Sequence, residues 1–112
     1  MKARITIDQF NEIDLRVGTV LQCEPFTKAR NPSYKLWIDF GELGVLKSSA
    51  QITLHYSPEE LIHKQVIAVV NFAPRQIADF MSECLVLGCV AGKGDVIILV
   101  PERAVPNGTE IA

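Results

Sequence analysis

The stretch KLWIDFGELGVLKSSAQIT, residues 35 to 53, has the pattern of two strands joined by a tight turn. Along KLWIDF, apolar residues at the even positions alternate with Lys35, Trp37 and Asp39, which is the period expected of a strand with one buried face. GELG at 41 to 44 supplies the turn residues, and VLKSSAQIT returns the chain. The stretch therefore predicts a β-hairpin whose outer face carries a cation and an aromatic side chain.

Further strand patterns lie on both sides of this hairpin. Apolar and polar residues alternate from Leu15 to Glu24, where Gly18 is a candidate bulge. Three more apolar runs follow the hairpin, at residues 65 to 72, 83 to 90 and 95 to 100. AGKG at 91 to 94 suits a hairpin turn between the last two runs, and the ending VPNGTEI contains a turn followed by residues able to pair again.

Two short helices are predicted from their capping signals. TIDQ at 6 to 9 fits a capping box, with Thr6 as the N-cap and Gln9 reaching back. SPEEL combines Ser57 as an N-cap with proline at the first helical position and acidic residues in the first turn. Because the second helix falls between the third and fourth strands, we expect an all-β fold with small α content. The predicted architecture is a five-stranded oligonucleotide/oligosaccharide-binding (OB) barrel.

Length and composition set limits on function. The chain has 112 residues, enough for one domain, and 48% hydrophobic with 21% charged residues is typical of a folded protein. Its apolar runs are far shorter than the roughly 20 residues that span a bilayer, so we expect no membrane insertion. The N-terminus lacks the pattern of a secretory signal, which makes the cytoplasm the expected compartment. A net charge of −2 gives no general attraction for nucleic acid, although it leaves a local basic patch open.

No pattern in the chain indicates catalysis or metal binding. Cys23, Cys84 and Cys89 are odd in number, and their spacing fits neither a redox pair nor a zinc site. They are predicted to be buried thiols. His55 and His63 lack the spacing of paired metal ligands. We therefore expect no enzyme activity, no cofactor and no metal.

The segment NFAPRQIADFMSE, residues 71 to 83, connects two strand patterns. Arg75 follows a proline that ends a strand with the pattern of a buried one, so it is expected on the barrel rim, where OB folds bind ligands. An arginine there can pair with a phosphate or a peptide carboxylate, and Trp37 can stack on a base or pack against an apolar side chain. A solvated surface role for Arg75 and a packing role for Trp37 stay open.

Four motifs in this order resemble the tRNA-binding domain family: DLRVG at 14 to 18, KLWIDFGE at 35 to 42, SPEELIHKQV at 57 to 66 and NFAPRQIADFMSE at 71 to 83. That family occurs fused to some aminoacyl-tRNA synthetases and also as free-standing bacterial proteins. Within it, SSAQIT at 48 to 53 and the ending PNGTEI are most similar to the CsaA-type, export-related chaperones. The resemblance covers nearly the whole chain.

The resemblance implies a single tRNA-binding-type OB domain over residues 1 to 112, with extra elements at both ends. It further implies a two-fold homodimer, with a helical element at residues 1 to 13 in the interface. Ile5, Ile7 and Phe10 give that element an apolar face, which a small barrel need not bury alone.

The family's ligand-contact motifs also match this chain residue by residue. Its basic residue before a leucine matches Lys35, its N-x-x-P-R motif matches Asn71, Pro74 and Arg75, and its S-E-G-M motif begins at Ser82 and Glu83. Here the glycine and methionine of that last motif are replaced by cysteine and leucine, which places polypeptide ahead of tRNA as the ligand. Together with Trp37, the predicted contacts are Lys35, Asn71, Arg75, Ser82 and Glu83.

The function that the resemblance implies is a chaperone that binds unfolded or export-bound polypeptides as a homodimer, with the secretion ATPase as a further partner. A structure-specific tRNA-binding protein that uses the same rim is the alternative.

Overall fold

The computed structural model describes residues 1 to 112, with nine strands and two short α-helices. The helices are α1 (Ile7–Phe10) and α2 (Pro58–Leu61). The strands are β1 (Leu15–Pro25), β2 (Tyr34–Asp39), β3 (Val45–Ala50), β4 (Gln65–Val69), β5 (Arg75–Ile77), β6 (Phe80–Ser82), β7 (Leu85–Val86), β8 (Gly88–Gly92) and β9 (Asp95–Ile98). An antiparallel sheet in the order β3-β2-β1-β4-β7 curls into a nearly closed five-stranded barrel. The predicted OB-like fold is confirmed, with α2 between the third and fourth strands.

The β2–β3 hairpin forms the centre of the core. Leu36, Ile38 and Phe40 are fully buried, while Lys35 and Trp37 lie half-buried on the other face. This is the alternation that the sequence predicted. A strand with one continuous apolar face is held in register because a slip of one residue would move that face into solvent.

Strand β1 departs from simple alternation. Its pairing with β2 shifts between Val20 and Gln22, and the intervening Leu21 is exposed. The bulge lies there and not at Gly18, where it was expected. Gly18 instead leaves room for core side chains, since a Cβ added to it would lie 2.6 Å from the Ile38 Cγ2 atom.

Both predicted helices form with their predicted caps. The Thr6 hydroxyl accepts from the Gln9 N–H at 3.2 Å, and the Ser57 hydroxyl accepts from the Glu60 N–H at 3.3 Å. Helix α2 buries Leu61 in the core, whereas α1 buries none of its residues. No helix combines the length and apolar character needed to cross a membrane.

The region after β4 differs most from the sequence prediction. Residues 71 to 83 are more than a connection, because they include the β5–β6 hairpin. The strand predicted over 83 to 90 is two strands, since the chain changes partners at Leu87. The N–H of that residue donates to the Ile67 carbonyl at 2.9 Å, and its carbonyl accepts from the Leu99 N–H at 3.0 Å.

The three cysteines differ in exposure, and the change of partner at Leu87 places one of them, Cys89, on β8. Cys23 and Cys84 are buried as predicted, but Cys89 on β8 is exposed, so the prediction of a third buried thiol is wrong. The β8–β9 hairpin itself forms around the predicted AGKG turn.

The C-terminal segment pairs again, as predicted. The Val17 N–H donates to the Thr109 carbonyl at 3.0 Å, and the Gly108 N–H donates to the Val17 carbonyl at 2.7 Å. The Gln65 side chain fixes the same segment, donating to the Val105 carbonyl at 2.7 Å and accepting from the Val105 N–H at 3.1 Å.

Candidate ligand-binding groove

A groove of ≈ 650 Å³ opens beside the outer edge of β3. Sixteen residues line it, and nine of them are hydrophobic. They come from the β1–β2 loop, the end of β3, β5 and the β7–β9 region, and are Ala29, Arg30, Asn31, Ser33, Ser49, Ala50, Gln51, Ile52, Arg75, Ile77, Leu85, Val86, Leu87, Gly88, Val90 and Val96. Its size and mixed lining are typical of sites that bind organic ligands or short chain segments.

Hydrogen bonds between β3 and residues 82 to 84 close the barrel, and the groove begins where these bonds end. The Lys47 carbonyl accepts from the Glu83 and Cys84 N–H groups at 2.7 and 3.2 Å, and the Lys47 N–H donates to the Glu83 carboxylate at 3.0 Å. The next outward-facing donor, the Ser49 N–H, bonds to the Ser82 hydroxyl at 3.1 Å. The side chains of Ser82 and Glu83, both predicted ligand contacts, therefore close the seam between β3 and the segment before β7.

Arg30 and Arg75 are the only charged residues of the groove lining, and both are exposed. Neither takes part in any of the ion pairs of the structure. The groove is thus locally positive in a chain of net charge −2. Two free guanidinium groups next to apolar walls can pair with an anionic group of a ligand.

The hairpin that carries Arg75 is tied to the β1–β2 loop by an ion pair. Lys28 Nζ lies 2.7 Å from an Asp79 carboxylate oxygen. The hydrogen bond from Lys28 lowers the pKa of the Asp79 carboxyl, and the same bond raises the pKa of Lys28. Both groups are surface groups, so the pair orients the loop and the hairpin more than it stabilises the fold.

A cluster of cations and aromatic rings covers the outer face of β2. The Phe80 ring of the β5–β6 hairpin lies 5.7 Å from the Trp37 ring and 5.5 Å from the Phe26 ring, centroid to centroid. The Lys35 ammonium lies 4.8 Å from the Phe26 centroid and 5.3 Å from that of Phe80, and the Lys47 ammonium lies 5.2 Å from Phe80. Such distances allow cation–π attraction.

Sequence reasoning missed two members of this cluster. Phe26 lies between the strand patterns at 15 to 24 and 35 to 40, outside any predicted element, yet it is buried, and Phe80 lies in the segment predicted to connect two strands. The available signal was an aromatic residue inside each polar segment, which points to packing. The predicted contacts Lys35 and Trp37 are held by these rings.

Asn71 lies apart from the groove. Its side-chain oxygen accepts from the Asp14 N–H, and its amide nitrogen donates to the Glu12 carbonyl, both at 2.8 Å. It therefore fastens the N-terminal segment to the end of β4.

The structure brings Arg75 to the groove, Ser82 and Glu83 to the seam, Lys35 and Trp37 to the aromatic cluster, and Asn71 to the N-terminal segment. Which of these residues contact a ligand stays a prediction.

The predicted dimer residues lie on an open surface. Ile5 and Ile7 are exposed and Phe10 is half-buried. A largely exposed apolar surface on this segment is compatible with the predicted interface, which stays a prediction.

The two buried thiols have low reactivity. Burial raises the pKa of Cys84 to about 12 and that of Cys23 to about 11. Both stay protonated at neutral pH, whereas a nucleophilic cysteine needs its thiolate. No group of three or more His, Cys, Asp or Glu side chains is placed to hold a metal ion.

Comparison with known proteins gives the family. The model of the putative tRNA binding domain matches residues 15 to 110. The crystal structure of chaperone CsaA from Bacillus anthracis has a TM-score of 0.95 and 53% identity, covering 98% of this chain and 100% of that one. CsaA from Picrophilus torridus has a TM-score of 0.90 and 49% identity, covering 97% and 100%.

Longer relatives contain the same unit. Methionine–tRNA ligase of Bacteroides fragilis is 37% identical over 111 residues, which are 99% of this chain and only 16% of the ligase. The chain therefore belongs to the tRNA-binding domain family, as its four motifs predicted, and its resemblance to the CsaA type within that family is confirmed.

Proposed function

We propose that the protein is a non-catalytic, cytoplasmic chaperone that binds unfolded or export-bound polypeptides as a homodimer. The observation that carries this proposal is the groove beside β3, which has apolar walls and two unpaired arginines. Unfolded chains differ from folded ones in exposing apolar side chains and backbone groups together. A groove of this composition can bind both.

The comparisons support the same function, because CsaA of Bacillus anthracis is described as a chaperone and is 53% identical to this chain. The exposed side chains of Ile5 and Ile7 support a dimer interface at α1. A dimer would offer two grooves to one extended client, which raises overall affinity without tight contacts at either site. The secretion ATPase is a further proposed partner, supported by the family resemblance alone.

A titration with a fluorescent, unfolded presecretory peptide tests the proposal. We expect saturable binding at micromolar concentration or tighter, weakened by Arg75→Ala. Val90→Gln should also weaken binding, because Val90 lines the groove with 74% of its surface exposed. Val45→Gln is the matched control, since Val45 is 51% exposed on a strand but does not line the groove.

The outcome against the proposal is absence of binding to any unfolded peptide. Light scattering after size exclusion tests the dimer separately. The Ile7→Glu variant should elute as a monomer if α1 lies in the interface.

A structure-specific tRNA-binding protein is the second candidate. The match to the tRNA-binding domain supports it, as does the placement of Lys35 and Lys47 beside the same aromatic ring. Phosphate contacts release counterions, so tRNA affinity should fall steeply with added salt. Replacing both lysines with glutamine should reduce that salt dependence, while the exposed Lys93→Gln control should not. Failure of tRNA to bind at low ionic strength would exclude this candidate.

A further inference from the structure

We infer that the groove selects extended segments that carry a carboxylate. The segment adds to the open edge of β3 beyond Ser49 and presents its carboxylate to Arg30 and Arg75. This inference rests on the proposed polypeptide binding, and it goes further by naming the conformation and the charge of the bound segment.

The groove lining is positively charged. Arg30 and Arg75 line it with no acidic residue among the lining residues and with no ion-pair partner. Lys28, a cation of the same loop as Arg30, is by contrast already paired with Asp79 at 2.7 Å. The planar guanidinium group binds carboxylates through two parallel hydrogen bonds, and apolar surroundings strengthen that attraction. The ligand that complements this groove is therefore anionic at one point and apolar elsewhere.

One edge of β3 is open beyond Ser49. This strand pairs with β2 on one side only. The Lys47 and Ser49 N–H groups point to the other side, where they donate to Glu83 and Ser82. In an antiparallel strand the N–H and C=O of one residue point to the same neighbour, so the Ser49 carbonyl also faces outward. Ser49 lines the groove, and so does the exposed Gln51 at the next outward position.

An open strand edge recruits another strand, because its free N–H and C=O groups are strong hydrogen-bonding partners. Successive side chains of an added strand point to opposite faces. One set would face the apolar walls formed by Ile77 and Leu85, and the other set would face solvent. A carboxylate within this strand, or at its C-terminus, can then meet the two arginines.

Matched peptides of about six residues, a common strand length, test the inference. All share one alternating apolar pattern. Three have amidated C-termini and carry Glu, Gln or Lys at the same position, and a fourth carries Gln with a free C-terminal carboxylate. We expect a carboxylate to increase affinity about tenfold over the neutral peptide, as charge-assisted hydrogen bonds do, and Lys to decrease it. Preference for the Glu peptide assigns the carboxylate to a side chain, and preference for the free terminus assigns it to a chain end.

Two protein variants locate the effect. The double variant Arg30→Gln, Arg75→Gln should lose the preference for the carboxylate while still binding the neutral peptide. Arg103→Gln, an exposed arginine outside the groove, should keep it. N-methylation of the peptide at alternate amides tests the strand pairing, because methylation in only one of the two registers should abolish binding.

The outcomes separate this inference from the proposed function. Equal binding of all four peptides would overturn carboxylate selection and leave polypeptide binding intact. Equal tolerance of N-methylation in both registers would overturn pairing with β3. Loss of short-RNA binding in the double arginine variant, with an unchanged order of peptide affinities, would assign the arginines to phosphate instead. Failure of every peptide to bind would overturn the proposed function itself.

Discussion

The rings of Trp37 and Phe80 meet edge to face, with centroids 5.7 Å apart and planes inclined by 74°. Trp37 belongs to β2 of the barrel, and Phe80 belongs to the hairpin that carries Arg75. No ladder of backbone hydrogen bonds joins that hairpin to the five-stranded sheet. The position of Arg75 at the groove therefore depends on aromatic packing, on the Lys28–Asp79 ion pair and on the seam at Ser82 and Glu83.

Replacing Phe80 with alanine should release the hairpin. Phe80 is buried among Phe26, Trp37 and the ammonium groups of two lysines, so we expect a loss of about 3 kcal/mol in the free energy of unfolding. Trp37 is the only tryptophan, and its emission should shift to longer wavelength as the ring becomes hydrated. Denaturant unfolding followed by fluorescence measures both effects. Phe72→Ala is the control, because Phe72 is largely exposed, and equal losses for both variants would contradict the packing role.

Gly18 should be intolerant of even a methyl group. A Cβ there would lie 2.6 Å from Ile38 Cγ2 and 2.7 Å from Phe40 Cδ1, and both side chains are fully buried. We expect Gly18→Ala to cost about 1 to 3 kcal/mol through overpacking. In Gly92→Ala the nearest atom would be Asp95 Cβ at 3.8 Å, so that variant should change stability by less than about 0.5 kcal/mol. Thermal unfolding of the pair measures the difference, and similar midpoints would argue against close packing at Gly18.

Asn71 should matter for the N-terminal segment in the absence of any ligand. Asn71→Ala removes two hydrogen bonds to the backbone of Glu12 and Asp14, and the expected cost is about 1 kcal/mol because the site is exposed. Amide exchange of Asp14 should accelerate, since its N–H loses its acceptor. Hydrogen exchange by NMR measures this locally. Asn31→Ala, also exposed, is the control, and unchanged exchange at Asp14 would show that the segment is held by other contacts.

Alkaline pH should destabilise the fold through the buried thiols. Burial raises the pKa of Cys84 to about 12 and that of Cys23 to about 11, from an ordinary value of 9.0. The unfolded chain therefore loses these protons first, so stability is fully present below pH 9 and falls as pH rises from there toward 11 to 12. Denaturant unfolding between pH 8 and 11 measures the decline. Cys84→Ala should lower stability at every pH but make the decline shallower, and an unchanged slope would assign the decline to other groups.

Only one of the three thiols should react in the folded protein. Cys89 is exposed, whereas Cys23 and Cys84 are buried and protonated. A colourimetric thiol reagent at pH 8 should label one site rapidly and all three after denaturation. Cys89→Ser should abolish the rapid phase. A rapid phase that persists in this variant would mean that a buried site opens readily.

The barrel could be predicted from sequence because its signals are local. The alternation along β2 and the capping residues Thr6 and Ser57 each lie within a few residues of the structure they specify. The β5–β6 hairpin could not be predicted in this way, because its strands have three residues each and it is held by Phe80 against a distant strand. Cys89 was misplaced for a similar reason, since the change of strand partner at Leu87 depends on Ile67 and Leu99.

The candidate site shows the same limit. The proline before Arg75 indicated a rim position, and Arg75 does line the groove. The side chain of Asn71, only four residues earlier, forms hydrogen bonds with the backbone of Glu12 and Asp14. Nothing in the local sequence pattern indicates a contact with residues so far away in the chain. Motif membership alone therefore does not determine whether two residues share one surface.

The pairing of the C-terminal segment with the start of β1 places that end of the chain beside residue 14. The Ile111 N–H donates to the Leu15 carbonyl at 3.0 Å, and Arg16 bridges Asp14 and Glu110 at 2.6 and 2.9 Å. None of these residues lines the groove. The two ends of the barrel's chain thus lie close together and outside the groove, so we expect a domain fused at either end to leave the groove lining unchanged.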